Sequence, residues 1–104
     1  MTKEDHLLLI IAEECNAVAQ RCIRTLRFGL EHVSQSEQNP ERLTNRRRIN
    51  REFNDLVAAM AMLDANLLRI STDATTRRQA RIAKYLEVSE AEGRLSESAS
   101  QTSA

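Results

Sequence analysis

Residues 13–17 read Glu-Glu-Cys-Asn-Ala, and residues 52–55 read Glu-Phe-Asn-Asp. Each stretch lies inside a long segment of helical periodicity, and a polar segment at 34–45 separates the two segments. Side chains three or four residues apart share one face of a helix. If the two helices lie side by side, the carboxylates at positions 13, 14, 52 and 55 are therefore predicted to converge on one pocket.

The composition favours helix along the whole chain. The 104 residues include only 2 glycines and 1 proline, and aromatic residues make up 3%, so turn breakers and strand formers are scarce. We therefore predict an all-α fold. One helical domain is expected over residues 1–94, and a disordered tail is expected over 95–104, where Ser, Glu, Gln, Thr and Ala predominate.

The first helix is predicted to begin after a cap at Thr2, with Asp5 in the capping-box position, and to end near Phe28 and Gly29. Its apolar positions recur at helical spacing, which predicts the face that packs in the core. These positions are Leu8, Ile11, Cys15, Val18, Cys22 and Leu26. Both thiols are accordingly expected to be buried and reduced.

The second helix is predicted to begin after Thr44 or Asn45 and to end near Leu68. Its apolar positions repeat the three–four alternation of the first helix. They are Ile49, Phe53, Leu56, Met60, Leu63 and Leu67. The geometry of the first helix is thus repeated, with carboxylates beside a hydrophobic seam.

A shorter third helix is predicted at about residues 74–91, with Thr72 or Asp73 as its cap. The first two helices are expected to form an antiparallel hairpin because a modest loop joins them. Two long helices and a short one do not enclose a core. The chain is therefore expected to self-associate into four-helix-bundle modules.

Charge and residue spacing argue against several classes of protein. The 15 basic and 15 acidic residues give a formal net charge of zero, which disfavours binding to nucleic-acid polymers or to membranes. The apolar run at 7–12 is too short for a membrane span and lacks the flanks of a signal peptide, so a cytoplasmic location is expected. The two glycines form no Gly-rich phosphate loop, and no Cys-x-x-Cys spacing suggests zinc.

Clustered carboxylates repel one another unless cations lie between them. Mg²⁺ prefers hard oxygen ligands and commonly bridges carboxylates to substrate phosphates. The four acidic residues are therefore candidate magnesium ligands. The alternative interpretation is that Glu13, Glu14, Glu52 and Asp55 are ordinary solvated residues of amphipathic helices.

Three segments resemble the MazG-like nucleotide pyrophosphohydrolases, and in particular their phage-type members. Residues 7–30 (LLLIIAEECNAVAQRCIRTLRFGL) are similar to the first motif helix of that family, and residues 52–57 (EFNDLV) are similar to the second. Residues 82–86 and 93–95 resemble the closing segment. The similarity covers roughly residues 6–95, in the family order Glu-Glu-x-x-Glu, spacer, Glu-x-x-Asp.

The resemblance implies an all-α homodimer or homotetramer that uses Mg²⁺ to cleave (d)NTPs into monophosphate and pyrophosphate by metal-activated water. It also implies that Glu13, Glu14, Glu52 and Asp55 bind the metal or orient the water. Ala17 departs from the pattern, because it stands where the family has the third glutamate of the first helix. Loss of one ligand is expected to weaken the metal site and to impair turnover.

Arg21 and Arg24 follow the first acidic stretch at helical spacing and are candidates for binding the triphosphate, since guanidinium matches phosphate geometry. Asn66 is a candidate for recognising the base or ribose. The arginines at 46–48 and 51 are interpreted as a solvated cluster, because a basic first turn opposes the helix dipole, and the alternative is that they steer an anionic nucleotide. Two alternatives stay open: a pyrophosphohydrolase acting on phosphoribosyl-ATP or an alarmone nucleotide, and a non-catalytic helical interaction module that keeps only the fold.

Overall fold

The computed structural model describes residues 1–64 and 67–96. This part of the chain contains three α-helices and no strand, so the all-α prediction is confirmed. The helices are α1 (Lys3–Phe28), α2 (Asn45–Ala61) and α3 (Thr72–Ala91). None of the three is both long enough and apolar enough to cross a membrane.

The chain divides into two compact units. The first, Met1–Leu68, contains α1 and α2, and the second begins at Arg69 and contains α3. The prediction of one domain over residues 1–94 stays a prediction. The predicted tail falls largely on residues 97–104, outside the described residues.

Local capping signals fix both ends of α1 where the sequence predicts them. The Thr2 hydroxyl accepts a hydrogen bond from the Asp5 backbone N–H at 3.0 Å, and the Asp5 carboxylate accepts one from the Thr2 N–H at 2.9 Å. Gly29 ends the helix at φ +98°, in the region that favours glycine, and its N–H donates to the Thr25 carbonyl. The predicted capping box is confirmed.

The connection between α1 and α2 is held by its own asparagine side chains. Asn39 is buried, and its Nδ2 donates to the carbonyls of Ser34 and Leu43 at 2.9 and 3.0 Å. Its Oδ1 accepts from the Leu43 N–H at 3.0 Å. Three hydrogen bonds that involve the Asn39 side chain thus stabilise this loop.

Asn45 joins the end of α1 to the start of α2. Its Nδ2 donates to the Gly29 carbonyl at 2.9 Å, and its backbone N–H donates to the His32 carbonyl at 3.0 Å. Thr44 is the N-cap of α2, since its hydroxyl accepts from the Arg47 N–H. These bonds turn the chain back, and α2 runs antiparallel to α1 as expected.

Two features of the predicted helices are wrong. α2 ends at Ala61 and not near Leu68, because the N–H groups of Met62 and Leu63 bond to carbonyls three residues back and tighten the last turn. No glycine or proline marks this end in the sequence. α3 has 20 residues and is longer than α2, which has 17.

The cap of α3 also differs from the prediction. The hydroxyl of Ser71 accepts from the Ala74 N–H at 3.2 Å, so Ser71 is the N-cap in place of Thr72 or Asp73. Ser71 stands one residue before Thr72, and either hydroxyl satisfies the sequence rule. Ser71 caps the helix because its backbone is extended, whereas Thr72 already has helical geometry.

The face of α1 that packs on α2 is rotated by one residue from the predicted stripe. The least exposed positions of α1 are Leu7, Ile11, Glu14, Ala17, Val18, Arg21 and Thr25. Cys15 and Cys22 are exposed, so the prediction of buried thiols is wrong. Leu26, a predicted core residue, is 88% exposed. The rotation follows from polar contacts between the helices, described next.

Candidate functional site

A buried arginine ties α1 to α2. Arg21 is only 7% exposed. Its Nε donates to both carboxylate oxygens of Glu52 at 3.3 Å, and its Nη2 donates to Oε1 at the same distance. Its Nη1 donates to Oδ1 of Asn45, which is 1% exposed, at 3.2 Å. Bringing Arg21, Glu52 and Asn45 together sets the rotation of α1 that the apolar spacing alone did not predict.

A cavity of about 200 Å³ opens beside Glu52. It combines two predicted acidic residues, Glu52 and Asp55, with the guanidinium groups of Arg48 and Arg51. Arg51 bonds the Glu41 carboxylate through Nη1 and Nη2 at 3.2 and 3.3 Å. The lining residues are Gln38, Asn39, Pro40, Glu41, Leu43, Arg48, Arg51, Glu52 and Asp55. The wall thus comes from α2 and the loop before it.

Both signs of charge line this cavity, because Glu41, Glu52 and Asp55 lie beside Arg48 and Arg51. Partial burial and then the positive charge of Arg21 lower the pKa of Arg48, with Arg24 and Arg51 adding to the effect. The negative charge of Glu52 opposes the shift. Arg48 therefore lies near three other guanidinium groups, those of Arg21, Arg24 and Arg51, and near the Glu52 carboxylate. Among the described residues, the guanidinium groups of Arg24 and Arg48 form neither a hydrogen bond nor an ion pair.

The predicted magnesium ligands do not form a metal site in a single chain. Glu13 is exposed on α1, and Glu14 is half-buried on the side that faces α2. No three His, Cys, Asp or Glu side chains among the described residues are grouped so that they could hold a metal ion. Glu52 is bound to Arg21, and Ala17 offers no ligand atom. Because Mg²⁺ is commonly held by only one or two carboxylates together with substrate phosphates, the role of these residues as Mg²⁺ ligands stays a prediction.

The remaining predicted site residues have different environments. Asp55 is exposed at the cavity, and Arg24 is exposed near Arg48. Arg21 is buried against Glu52, and its predicted contact with a triphosphate stays a prediction. Asn66 lies outside the described residues.

Three residues of this site, Asn45, Arg48 and Arg51, are not among the predicted site residues. The sequence indicates a helix cap for Asn45 and favours a solvated cluster over nucleotide steering for the two arginines. The spacing of Arg48 and Glu52, four residues apart on one helix, was the available signal for Arg48. Nothing in the local sequence predicts the contact of Asn45 with Arg21, because 24 residues separate them.

Comparison of the chain with protein families, with curated proteins and with solved structures finds no match.

Proposed function

We propose that this chain is a MazG-like nucleotide pyrophosphohydrolase subunit that binds (d)NTPs in the cavity beside Glu52, and that Ala17 impairs its hydrolytic step. The cavity carries the proposal, because it places Glu52 and Asp55 next to Arg48 and Arg51. Carboxylates beside guanidinium groups are the combination expected where a polyphosphate is bound and cleaved.

Two guanidinium groups that belong to no ion pair among the described residues support phosphate binding. Arg21 is committed to Glu52 and Arg51 to Glu41, which leaves the guanidinium groups of Arg24 and Arg48 for a ligand. The cavity of about 200 Å³ is smaller than the ~300–1,000 Å³ of typical small-molecule sites. It therefore suits the phosphate chain, with the nucleoside lying outside.

Ala17 is the residue on which catalysis depends. It lies one helical turn before Arg21, on the partly buried side of α1. A glutamate at this position would add a carboxylate close to Arg21 and would compete with Glu52 for that guanidinium. Released from Arg21, Glu52 would become available as a ligand. When bound, Mg²⁺ would supply charge neutralisation and an activated water.

The test compares the full chain with its Ala17→Glu variant. Both are incubated with Mg²⁺ and a panel of dNTPs and NTPs, and pyrophosphate release is measured. We expect Ala17→Glu to raise release at least about tenfold, since even indirect partners of a metal ligand affect activity 10–100-fold. The panel includes phosphoribosyl-ATP and an alarmone, so that preference for another nucleotide is detected.

Two further variants in the Ala17→Glu background locate the site. Asp55→Asn removes an exposed cavity carboxylate, leaves the Arg21–Glu52 ion pair intact and should return release to the level of the parent chain. Glu87→Gln makes the corresponding change from carboxylate to amide on the exposed surface of α3 and should leave release unchanged. Absence of release and of nucleotide binding in both the parent and Ala17→Glu chains would refute the proposal and favour a non-catalytic interaction module.

The proposed enzyme is a cytoplasmic homodimer or homotetramer. Support comes from the surface of the hairpin, where several large hydrophobic residues are exposed, among them Leu8, Ile23 and Leu26. Sedimentation equilibrium of the purified chain tests this part of the proposal, and a monomer at all concentrations contradicts it.

A further inference from the structure

The α1–α2 hairpin buries little apolar surface of its own. Leu7, Ala59 and Leu63 are the buried hydrophobic residues among those described, while Arg21 and Asn45 occupy other buried positions of the interface. Many large hydrophobic side chains of the hairpin are exposed instead, and contiguous exposed apolar surface typically marks an interaction site.

One flank of α1 is free of charge over most of its length. Its positions recur in steps of four and three, which keeps them in one line along the helix. We call them the uncharged strip, and all are exposed: Leu8, Ala12, Cys15, Ala19, Cys22 and Leu26. The four central residues are small, and the two at the ends are leucines.

The uncharged strip and the arginines lie on opposite sides of the hairpin. The Arg21–Glu52 ion pair joins the flank of α1 that carries Arg24 to the flank of α2 that lines the cavity, so these two flanks form one charged side. The remaining flanks of the two helices must then form the opposite side. That side joins the strip to Phe53 and Val57 of α2, which are 54% and 44% exposed.

We propose that a second copy of this chain covers the uncharged strip, with the two α1 helices antiparallel about a two-fold axis at Ala17. A two-fold interface places the same surface of each subunit on itself. This register sets Leu8 against Leu26 of the second copy, and Cys15 against Ala19 of the second copy. Small residues then meet small residues, which permits an interaxial distance near the ~8 Å lower limit.

The dimensions and charge of the strip also favour a second copy. It spans about 27 Å along α1, and two adjacent helices of about 10 Å width give a footprint of about 540 Å². This approaches the ~800 Å² that each partner buries in a stable complex. A strip without charge offers no attraction to an acidic or basic partner, but it can pack against an identical uncharged strip. The antiparallel arrangement also pairs the helix dipoles favourably.

The first experiment measures the mass of the full-length chain by sedimentation equilibrium. The parent chain is expected to be a dimer or a multiple of one. Ala19→Arg places a charge at the centre of the strip and should weaken the dimer at least 100-fold. Gln20→Arg adds the same side chain at the neighbouring exposed position, away from the strip, and should leave the mass unchanged.

A second experiment keeps the inference testable if Ala19→Arg unfolds. In a Cys22→Ser background, Ala19→Cys should form a disulfide-linked dimer on mild oxidation, because it faces Cys15 of the second copy. Gln20→Cys in the same background should not. Efficient cross-linking of the Cys22→Ser chain itself would indicate parallel helices and overturn the antiparallel register.

This inference rests on the self-association in the proposed function and not on its chemistry. A parent chain that is monomeric at every concentration overturns it, including where another part of the same chain covers the strip. Pyrophosphate release by Ala17→Glu is measured separately. A negative result in either measurement therefore does not change the interpretation of the other.

Discussion

Arg21 makes four hydrogen bonds while almost fully buried, and this burial determines how much the residue contributes to the stability of the fold. Removing one partner of a buried ion pair leaves an uncompensated charge, which typically costs 3–5 kcal/mol, whereas exposed pairs contribute about 0–1 kcal/mol. We expect Arg21→Met to lower the free energy of unfolding by about 3 kcal/mol, measured by urea denaturation. Replacing both partners, Arg21→Met with Glu52→Leu, should restore most of this loss.

Arg46 provides the matched comparison for Arg21. Its Nε lies 2.7 Å from Oε1 of Glu31, closer than any contact between Arg21 and Glu52, but both side chains are largely exposed. Arg46→Met should therefore cost less than about 1 kcal/mol. An equal loss for Arg21→Met and Arg46→Met would show that burial of the Arg21–Glu52 pair contributes no stability.

At the scale of helices, the two neighbouring hydroxyl groups at the start of α3 have different roles. Ser71 accepts the capping hydrogen bond, and Thr72 is already the first helical residue. Ser71→Ala should destabilise α3 by about 1 kcal/mol, because capping residues contribute roughly 0.5–2 kcal/mol. Hydrogen exchange of the first-turn amides measures the change. Thr72→Ala is the control and should leave this exchange nearly unchanged.

Helix ends were predictable where a local signal exists and not elsewhere. Thr2, Asp5 and Gly29 fix α1 through contacts within three or four residues, so the sequence predicts both ends. α2 ends at Ala61 without such a signal. The rotation of α1 was missed because it depends on Arg21 finding Glu52, 31 residues away, and no periodicity within one helix contains that information.

The candidate site was predictable to a similar degree. Spacing predicts that Glu52 and Asp55 share one face of α2, and both line one cavity. Glu13 and Glu14 do not line it, because a residue's distance to another helix depends on the packing and not on its own spacing. Arg48 lies in the site because of the way in which α2 is rotated about its own axis against α1. That rotation is set only when the two helices pack together.

For the whole molecule, the uncharged strip predicts that stability depends on protein concentration. Association that requires the folded state stabilises that state by mass action, so the melting temperature of the parent chain should rise with concentration. Calorimetry or circular dichroism over a 100-fold concentration range measures this. The Ala19→Arg chain should melt at one temperature throughout, and a concentration-independent parent chain would contradict the prediction.

The two opposite sides of the hairpin have a consequence for ligand saturation. In the proposed dimer, the cavity beside Glu52 lies on the charged side of each hairpin, away from the uncharged strip, so the second copy does not line its entrance. Phosphate-bearing ligands should accordingly titrate the dimer along a simple hyperbola with a Hill coefficient of about 1.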